Sequence, residues 1–231
     1  MKKESNQNTL MDTIKSLKAV LWDMDGVIVD TFDWHYSAWQ QTFDELAQPF
    51  DMETFRKTFG MNNRLILNTV FGRELEEDFI QQVSDRKEAL FRQVIKGSAE
   101  LLPGVADWLE RFEHMRGRQA VASSAPQANI DALLDELGIR GYFQAEAAGA
   151  TLRGKPDPAV FLLAAQLLGV EPVNCLVIED SIAGVEAAHR AGMKCVAVLT
   201  TNPAEKLAEA DVIVKDLTLL DEETLEMLFA G

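Results

Sequence analysis

The sequence is short of cysteine, of positive charge and of long apolar runs. Its 231 residues include two cysteines, Cys175 and Cys195, and each lies inside a short apolar segment. Such cysteines are typical of core side chains and do not form the disulfide framework of a secreted protein. The first residues, MKKESNQNTLMDTIKSLK, contain no apolar segment of the secretory kind. We therefore expect a cytoplasmic protein.

Acidic residues outnumber basic ones, with 37 Asp and Glu against 22 Lys and Arg and a net charge of −15. Nucleic acids and anionic membranes bind clustered lysines and arginines, so we expect neither partner. No apolar run approaches the roughly 20 residues that a membrane-spanning helix needs. A small anionic substrate would need a bound cation or a few well-placed basic side chains. We expect a monomer or a weak homodimer.

The 47% of hydrophobic residues is enough for a packed core. Short apolar runs with the character of strands alternate with amphipathic stretches with the character of helices. The predicted strands are 18–23, 118–124, 174–180, 194–199 and 211–216, and the predicted helices are 104–115, 126–138, 158–169, 182–191 and 203–209. This alternation predicts an α/β fold, a Rossmann-like parallel sheet with helices on both faces.

One interval interrupts the alternation. Between Asp30 and Arg118 the sequence has helical periodicity and no convincing strand. The interval is several times longer than the dozen or so residues that a parallel crossover needs. We therefore predict an inserted α-helical cap at 33–97, an α/β core at 18–32 and 98–231, and an N-terminal tail at 1–17.

The first predicted strand ends in DMDGV, where Asp23 and Asp25 lie two residues apart and Gly26 follows. Side chains at i and i+2 of an extended chain point the same way, so the two carboxylates can share a pocket. Like charges at this distance need a cation or a shared proton. For two such acids alone, a turn with solvated side chains is the favoured interpretation.

Further polar side chains stand at other strand ends or in a loop beside a helix start. They are Ser123 in VASSAP, Lys155 in RGKPDPAVF, and Glu179 with Asp180 in VIEDSIAG. Taken singly, they are explained by helix capping, a solvated lysine and the helix dipole. Ligands bind at the carboxyl ends of parallel strands, where these groups would meet. Together they suit phosphoryl transfer to an aspartate with a bridging Mg²⁺.

The four segments DMDGV, ASS, GKPDP and EDS, in this order, resemble the motifs of the haloacid dehalogenase superfamily. The helical insertion and the segment TFDWHYSAWQ resemble its β-phosphoglucomutase-like subgroup, which has an α-helical cap and includes sugar-phosphate phosphatases. The resemblance covers residues from about 18 to 216. It implies a magnesium-dependent enzyme that forms an aspartyl-phosphate.

The resemblance also implies a role for each matching residue. Asp23 would be the nucleophile, and Asp25 would be the acid and base that serves the leaving oxygen and then water. Ser123 and Lys155 would hold the phosphoryl group. The metal ligands would be Asp23, Asp25 through its backbone carbonyl, Glu179 and Asp180.

Four residues of the insertion are candidates for substrate contact. His35 and Trp39 are spaced to share one face of a helix, although Trp39 fits a core position equally well. Asn63 and Arg64 lie in GMNNR, which resembles the substrate-specificity loop of the subgroup. Arg64 could equally be a solvated helix residue.

The same chemistry serves a phosphatase and a mutase. A β-phosphoglucomutase must hold a second phosphate, with an arginine in the cap loop and polar residues after the second motif. This chain has Asn63 at the expected arginine and Ala125 and Pro126 in the second region. We therefore predict a phosphatase for a small phosphorylated metabolite, with a sugar phosphate as the expected substrate. The alternatives are a β-phosphoglucomutase, a pyrophosphatase and a non-enzymatic phospho-receiver, which would need neither the cap nor Asp25.

Overall fold

The computed structural model describes residues 16–230 and contains one six-stranded sheet. All neighbouring strands are parallel, in the order β3-β2-β1-β4-β5-β6. The strands are β1 (Ala19–Trp22), β2 (Arg118–Ser123), β3 (Ala145–Ala148), β4 (Cys175–Glu179), β5 (Lys194–Val198) and β6 (Val212–Val214). The predicted α/β class is confirmed, because helices cover both faces of this sheet.

Alternate residues of the central strands face opposite layers of the core. Val20 and Trp22 of β1 pack on the side that also receives α5 (Val105–His114), α6 (Gln127–Leu137) and α9 (Glu222–Phe229). Ala19 and Leu21 face α7 (Ala159–Leu168) and α8 (Ile182–Arg190). Both faces of β1 are thus buried, which explains its continuous apolar sequence.

The insertion between β1 and α5 contains four helices. They are α1 (Phe32–Glu45), α2 (Met52–Thr58), α3 (Asn63–Phe71) and α4 (Glu77–Val94). Their buried faces form a separate apolar cluster that includes Trp39, Phe43, Phe55, Ile66, Leu67, Ile80 and Val83. This cluster holds the insertion together without using the sheet.

Three parts of the chain differ from the sequence prediction. The predicted helix at 203–209 is wrong, since only a single 3₁₀ turn forms at Ala204–Lys206. The strand β3, with the sequence AEAA, and the helix α9 were not predicted. Of the predicted tail 1–17, residues 1–15 lie outside the described residues, and Leu17 packs in the main core.

No helix in the described part of the chain is both long and apolar enough to cross a membrane.

Gly104, the N-cap residue directly before α5, lies where the fold has no room for a side chain. Its φ is +84°, and a Cβ would lie 2.5 Å from backbone atoms of Leu217 and Thr218. Gly138 has a similar φ of +67°, but a Cβ there meets nothing within 4 Å. A comparison of substitutions at the two glycines therefore separates the cost of backbone strain from the cost of a steric clash.

We expect Gly104→Ala to lower the free energy of unfolding by about 1–3 kcal/mol more than Gly138→Ala does, because only the first adds a clash. Both substitutions carry the left-handed strain of about 1–2 kcal/mol. Urea unfolding of the two variants measures the difference. Equal losses would show that the contact with residues 217–218 does not constrain the start of α5.

Candidate active site

Three carboxylates meet where β1 and β4 end side by side in the sheet. Asp23 follows β1, Glu179 ends β4 and Asp180 follows it. One carboxylate oxygen from each lies within 4.8 Å of the other two, and the residues are 7%, 0% and 3% exposed. The parallel pairing of β1 with β4 therefore brings together acids that are more than 150 residues apart in the sequence.

Two glycines leave the space that these carboxylates occupy. A Cβ on Gly26, whose φ is +81°, would lie 2.0 Å from Oδ2 of Asp180. A Cβ on Gly184, in the first turn of α8, would lie 1.8 Å from Oε1 of Glu179. Gly26 is thus required both for its turn and for the close approach of a carboxylate.

Lys155 is the cation of this cluster. Its Nζ donates to Oδ1 of Asp23 at 2.7 Å and to Oε1 of Glu179 at 2.5 Å, and its side chain is 6% exposed. The other oxygen of Glu179 accepts from the backbone N–H groups of Asp180 and Ser181, both at 2.7 Å. Both oxygens of Glu179 are therefore already hydrogen-bonded within the protein.

The cluster carries more negative than positive charge. Burial raises the pKa of Asp23 and of Asp180, and the neighbouring charge of Glu179 raises both further. Burial lowers the pKa of Lys155, but the charges of Asp23 and Glu179 outweigh it and hold that pKa above its usual range. Three buried carboxylates beside one ammonium form an oxygen-rich site that fits a divalent cation.

The carboxylate of Asp25 belongs to a different network. Its Oδ1 accepts from Oγ1 of Thr31 at 2.6 Å and lies 3.3 Å from Nε2 of His35. Burial raises the pKa of Asp25, but these hydrogen bonds, with the charges of His35 and Lys87, leave it below the ordinary value. The carboxylate of Asp25 therefore faces the insertion. Of Asp25, it is the backbone carbonyl that stays a predicted metal ligand, together with the other predicted ligands.

The network continues into the insertion through buried charged side chains. Nδ1 of His35 lies 2.7 Å from Nζ of Lys87, which donates to Oε1 of Glu88 at 2.9 Å. The side chains of Lys87 and Glu88 are 2% and 9% exposed. Phe91 stacks on the His35 ring, with centroids 4.2 Å apart. The predicted residue His35 therefore contacts Asp25, while Lys87 and Glu88 were not predicted.

Little in the sequence points to a role for Lys87 and Glu88 in the site. They lie in SDRKEALFRQV, whose dense charges are typical of a solvated helix face. Thr201 and Asn202 were also missed, between the predicted strand 194–199 and the predicted helix 203–209. Oγ1 of Thr201 donates to the Asp180 carboxylate, and Nδ2 of Asn202 donates to the Asp180 carbonyl at 3.1 Å.

Ser123 ends β2, as predicted for a group at a strand end, and is fully buried. Its Oγ accepts from the backbone N–H of Ala125 at 3.1 Å. The cavity beside the acids is lined by Ser124, Ala125 and Pro126 rather than by Ser123 itself. The phosphate-binding role of Ser123 stays a prediction.

A cavity of about 610 Å³ lies between the carboxylates and the insertion. Asp23, Asp25, Lys155, Glu179 and Asp180 line it, and from the insertion so do His35, Trp39, Asn63, Arg64, Lys87 and Glu88. Trp39 is 1% exposed and belongs to the apolar cluster of the insertion, so it serves as a core residue as well. All the predicted site residues except Ser123 thus line the same cavity.

The two residues of the predicted specificity loop make different contacts. Asn63 Nδ2 donates to Oε1 of Glu88 at 2.8 Å, in the wall of the cavity. Arg64 forms an exposed ion pair with Glu77. Neither contact reaches the acidic cluster.

The family model of haloacid dehalogenase-like hydrolases matches residues 20–198, which is more than half of the chain. The chain belongs to this family. It is 30% identical over 219 residues to a phosphorylated carbohydrates phosphatase of Thermotoga maritima, covering 92% of this chain and 98% of that protein. It is 33% identical over 220 residues to the β-phosphoglucomutase of Bacillus subtilis, covering 92% and 94%.

A solved structure supports the same assignment. The β-phosphoglucomutase of Clostridium difficile superimposes with a TM-score of 0.82 at 26% identity, over 93% of this chain and all of that one. The predicted family and the predicted class of enzyme, a phosphohydrolase, are confirmed by these relatives.

We expect Lys155→Met to lower the free energy of unfolding by about 3–5 kcal/mol when divalent metal is removed with a chelator, because it leaves buried carboxylates without their partner. The matched control is Lys57→Met, which removes an exposed pair with Glu53. That change should cost no more than about 1 kcal/mol. Urea unfolding measures both, and equal losses would contradict the assignment of Lys155 as the balancing cation.

Proposed function

We propose that the protein is a Mg²⁺-dependent phosphatase that hydrolyses a small phosphorylated metabolite, with a sugar phosphate as the expected substrate. The observation that carries the proposal is the pairing of Asp23 with Lys155 among buried acids that line the cavity. At the same wall, Asp25 lies in a separate hydrogen-bonded network. A nucleophile and an acid with different surroundings are what a two-step phosphoryl transfer needs.

In the first step, a carboxylate oxygen of Asp23 attacks the phosphorus of the substrate. The bond between phosphorus and the leaving oxygen breaks, and Asp25 donates a proton to that oxygen, so an alcohol leaves. The phosphate dianion adds negative charge to the site, which favours the protonated form of Asp25 in the complex. The product of this step is an aspartyl-phosphate on Asp23.

In the second step, water attacks the phosphorus of the aspartyl-phosphate. Asp25 accepts a proton from the water, the bond between phosphorus and the Asp23 oxygen breaks, and inorganic phosphate leaves. Lys155 remains beside Asp23 throughout and offsets charge on the phosphoryl oxygens. The helices of the insertion limit the access of bulk water to the reacting atoms.

The residues of the acidic cluster fit a magnesium ion. Asp23, Asp180 and the backbone carbonyl of Asp25 are the expected direct ligands. Glu179 is expected to act through water, because both its oxygens already accept hydrogen bonds. A bound Mg²⁺ supplies positive charge against the phosphoryl oxygens.

The cations of the insertion favour a phosphatase over a mutase. Among the described residues that line the cavity, the cations from the insertion are Arg64 and Lys87. Arg64 is paired with Glu77 and Lys87 with Glu88, so a second phosphate would have to compete with a carboxylate for either one. The wall formed by Ala125 and Pro126 adds no charge.

β-Phosphoglucomutase is the second candidate, since the Bacillus subtilis relative has that activity and the aspartyl-phosphate serves both reactions. The pyrophosphatase and phospho-receiver hypotheses have less support. The second phosphoryl group of pyrophosphate would have to compete with Glu77 for Arg64 or with Glu88 for Lys87. A receiver needs neither the cavity under the insertion nor the Asp25 network.

We expect purified protein with Mg²⁺ to release phosphate from sugar monophosphates faster than it isomerises β-glucose 1-phosphate supplied with a bisphosphate primer. Asp23→Asn should abolish release, because it removes the nucleophile. The matched control is Asp30→Asn, an exposed acid in the same segment that lies outside the cavity. Isomerisation that outruns release would assign the protein as a mutase, and release by Asp23→Asn would overturn the covalent mechanism.

We expect Mg²⁺ to raise the melting temperature, because a ligand that binds only the folded state stabilises it by about 2.7 kcal/mol at 100 times its Kd. For a chain of this size that corresponds to roughly 5–10 °C. Asp180→Asn should lose the shift. Asp211→Asn, which removes an ion-paired acid outside the cavity, should retain it. A shift that survives in Asp180→Asn would show that the metal binds elsewhere.

A further inference from the structure

Asn129 connects the core to the insertion through both ends of its amide. It lies in the first turns of α6 and is fully buried. Its Nδ2 donates to Oε2 of Glu88 at 2.5 Å, and its Oδ1 accepts from Nη1 of Arg92 at 2.8 Å. Glu88 and Arg92 are four residues apart and so share one face of α4. We call these three residues the amide clasp.

The two hydrogen bonds of the amide clasp require an amide side chain at position 129. One planar group supplies both the donor for Glu88 and the acceptor for Arg92, which neither a carboxylate nor a hydrocarbon can do. Loss of the amide also leaves Glu88 with one fewer donor in a buried setting, where an unsatisfied charged group is costly. The clasp therefore defines how α4 sits against α6.

An unbroken chain of polar contacts runs from the clasp to Asp25. Glu88 accepts from Lys87 at 2.9 Å, Lys87 lies 2.7 Å from His35, and His35 lies 3.3 Å from Asp25. The first three residues belong to the insertion, and Asp25 belongs to the core. A shift of α4 on α6 would thus move Lys87, and through it His35, relative to the Asp25 carboxylate that His35 contacts.

We propose that Asn129 is a positioning residue, which holds the insertion against the core so that His35 and Lys87 orient Asp25 for proton transfer to the leaving oxygen. The proposal rests on the proposed phosphatase function. Asn129 also lines the cavity, so a direct contact with substrate is the competing explanation. Arg92 separates the two, because it belongs to the clasp and is not part of the cavity wall.

The test compares two substrates in the full-length protein with Mg²⁺. One is a sugar phosphate that the wild type hydrolyses, whose alkoxide needs a proton to leave. The other is p-nitrophenyl phosphate, whose leaving group is stable without one. Asn129→Ala and Arg92→Met should each lower kcat/KM for the sugar phosphate by about 10- to 100-fold. The loss for p-nitrophenyl phosphate should stay below about threefold, because its departure needs no general acid.

The matched control is Gln127→Ala. Gln127 is an exposed residue of α6 whose hydrogen bonds go to Asp131 and Glu146 and not to α4. This change should leave kcat/KM for both substrates unaltered. Partial unfolding lowers the rate for both substrates equally, so the ratio between them isolates the effect on proton transfer. The double variant should lose little more than either single one, since the clasp acts as a unit.

Equal losses for the two substrates overturn the inference and leave the phosphatase assignment intact. A selective loss in Asn129→Ala with none in Arg92→Met also overturns it, in favour of direct substrate contact. If the wild type releases phosphate from neither substrate, the proposed function fails and the inference fails with it.

Discussion

The site depends on buried negative charge that a single lysine does not balance. Asp23, Glu179 and Asp180 are almost fully buried, and Lys155 contacts two of them. Buried like charges are unfavourable unless a cation or a proton compensates them. The surrounding fold allows this arrangement, because the pairing of β1 with β4 places the acids side by side and glycines clear their space. We infer that the excess negative charge is retained because a divalent cation completes the site.

The two aspartates of DMDGV share one cavity but have opposite surroundings. Burial and the neighbouring like charges raise the pKa of Asp23, while hydrogen bonds from His35 and Thr31 lower the pKa of Asp25. The Asp25 carboxylate contacts Thr31 and His35, whereas the Asp23 carboxylate pairs with Lys155. This divergence separates the proposed nucleophile from the proposed acid, and among the hydrogen bonds of the described residues the insertion reaches only Asp25 of the two.

Much of the core architecture could be predicted from local sequence, because β-branched apolar runs identify buried strands and their ends locate the acids. The strand AEAA (145–148) escaped prediction because it has no β-branched residue and gains its place by pairing with β2. Lys87 and Glu88 escaped because their partners, His35 and Asn129, come from distant segments. Such side chains appear solvated in sequence, and only the packing of the insertion against the core reveals their burial.

The most direct test that a divalent cation completes the acidic site and that Asp23 accepts the phosphoryl group is ¹⁹F NMR of the protein with beryllium fluoride, a mimic of that group. We expect a stoichiometric adduct that forms only when Mg²⁺ is present, because the cation and Lys155 together must offset the charge of the acids and the mimic. The adduct should be absent from Asp23→Asn. An adduct of equal occupancy without divalent metal, or one that persists in Asp23→Asn, would contradict the account.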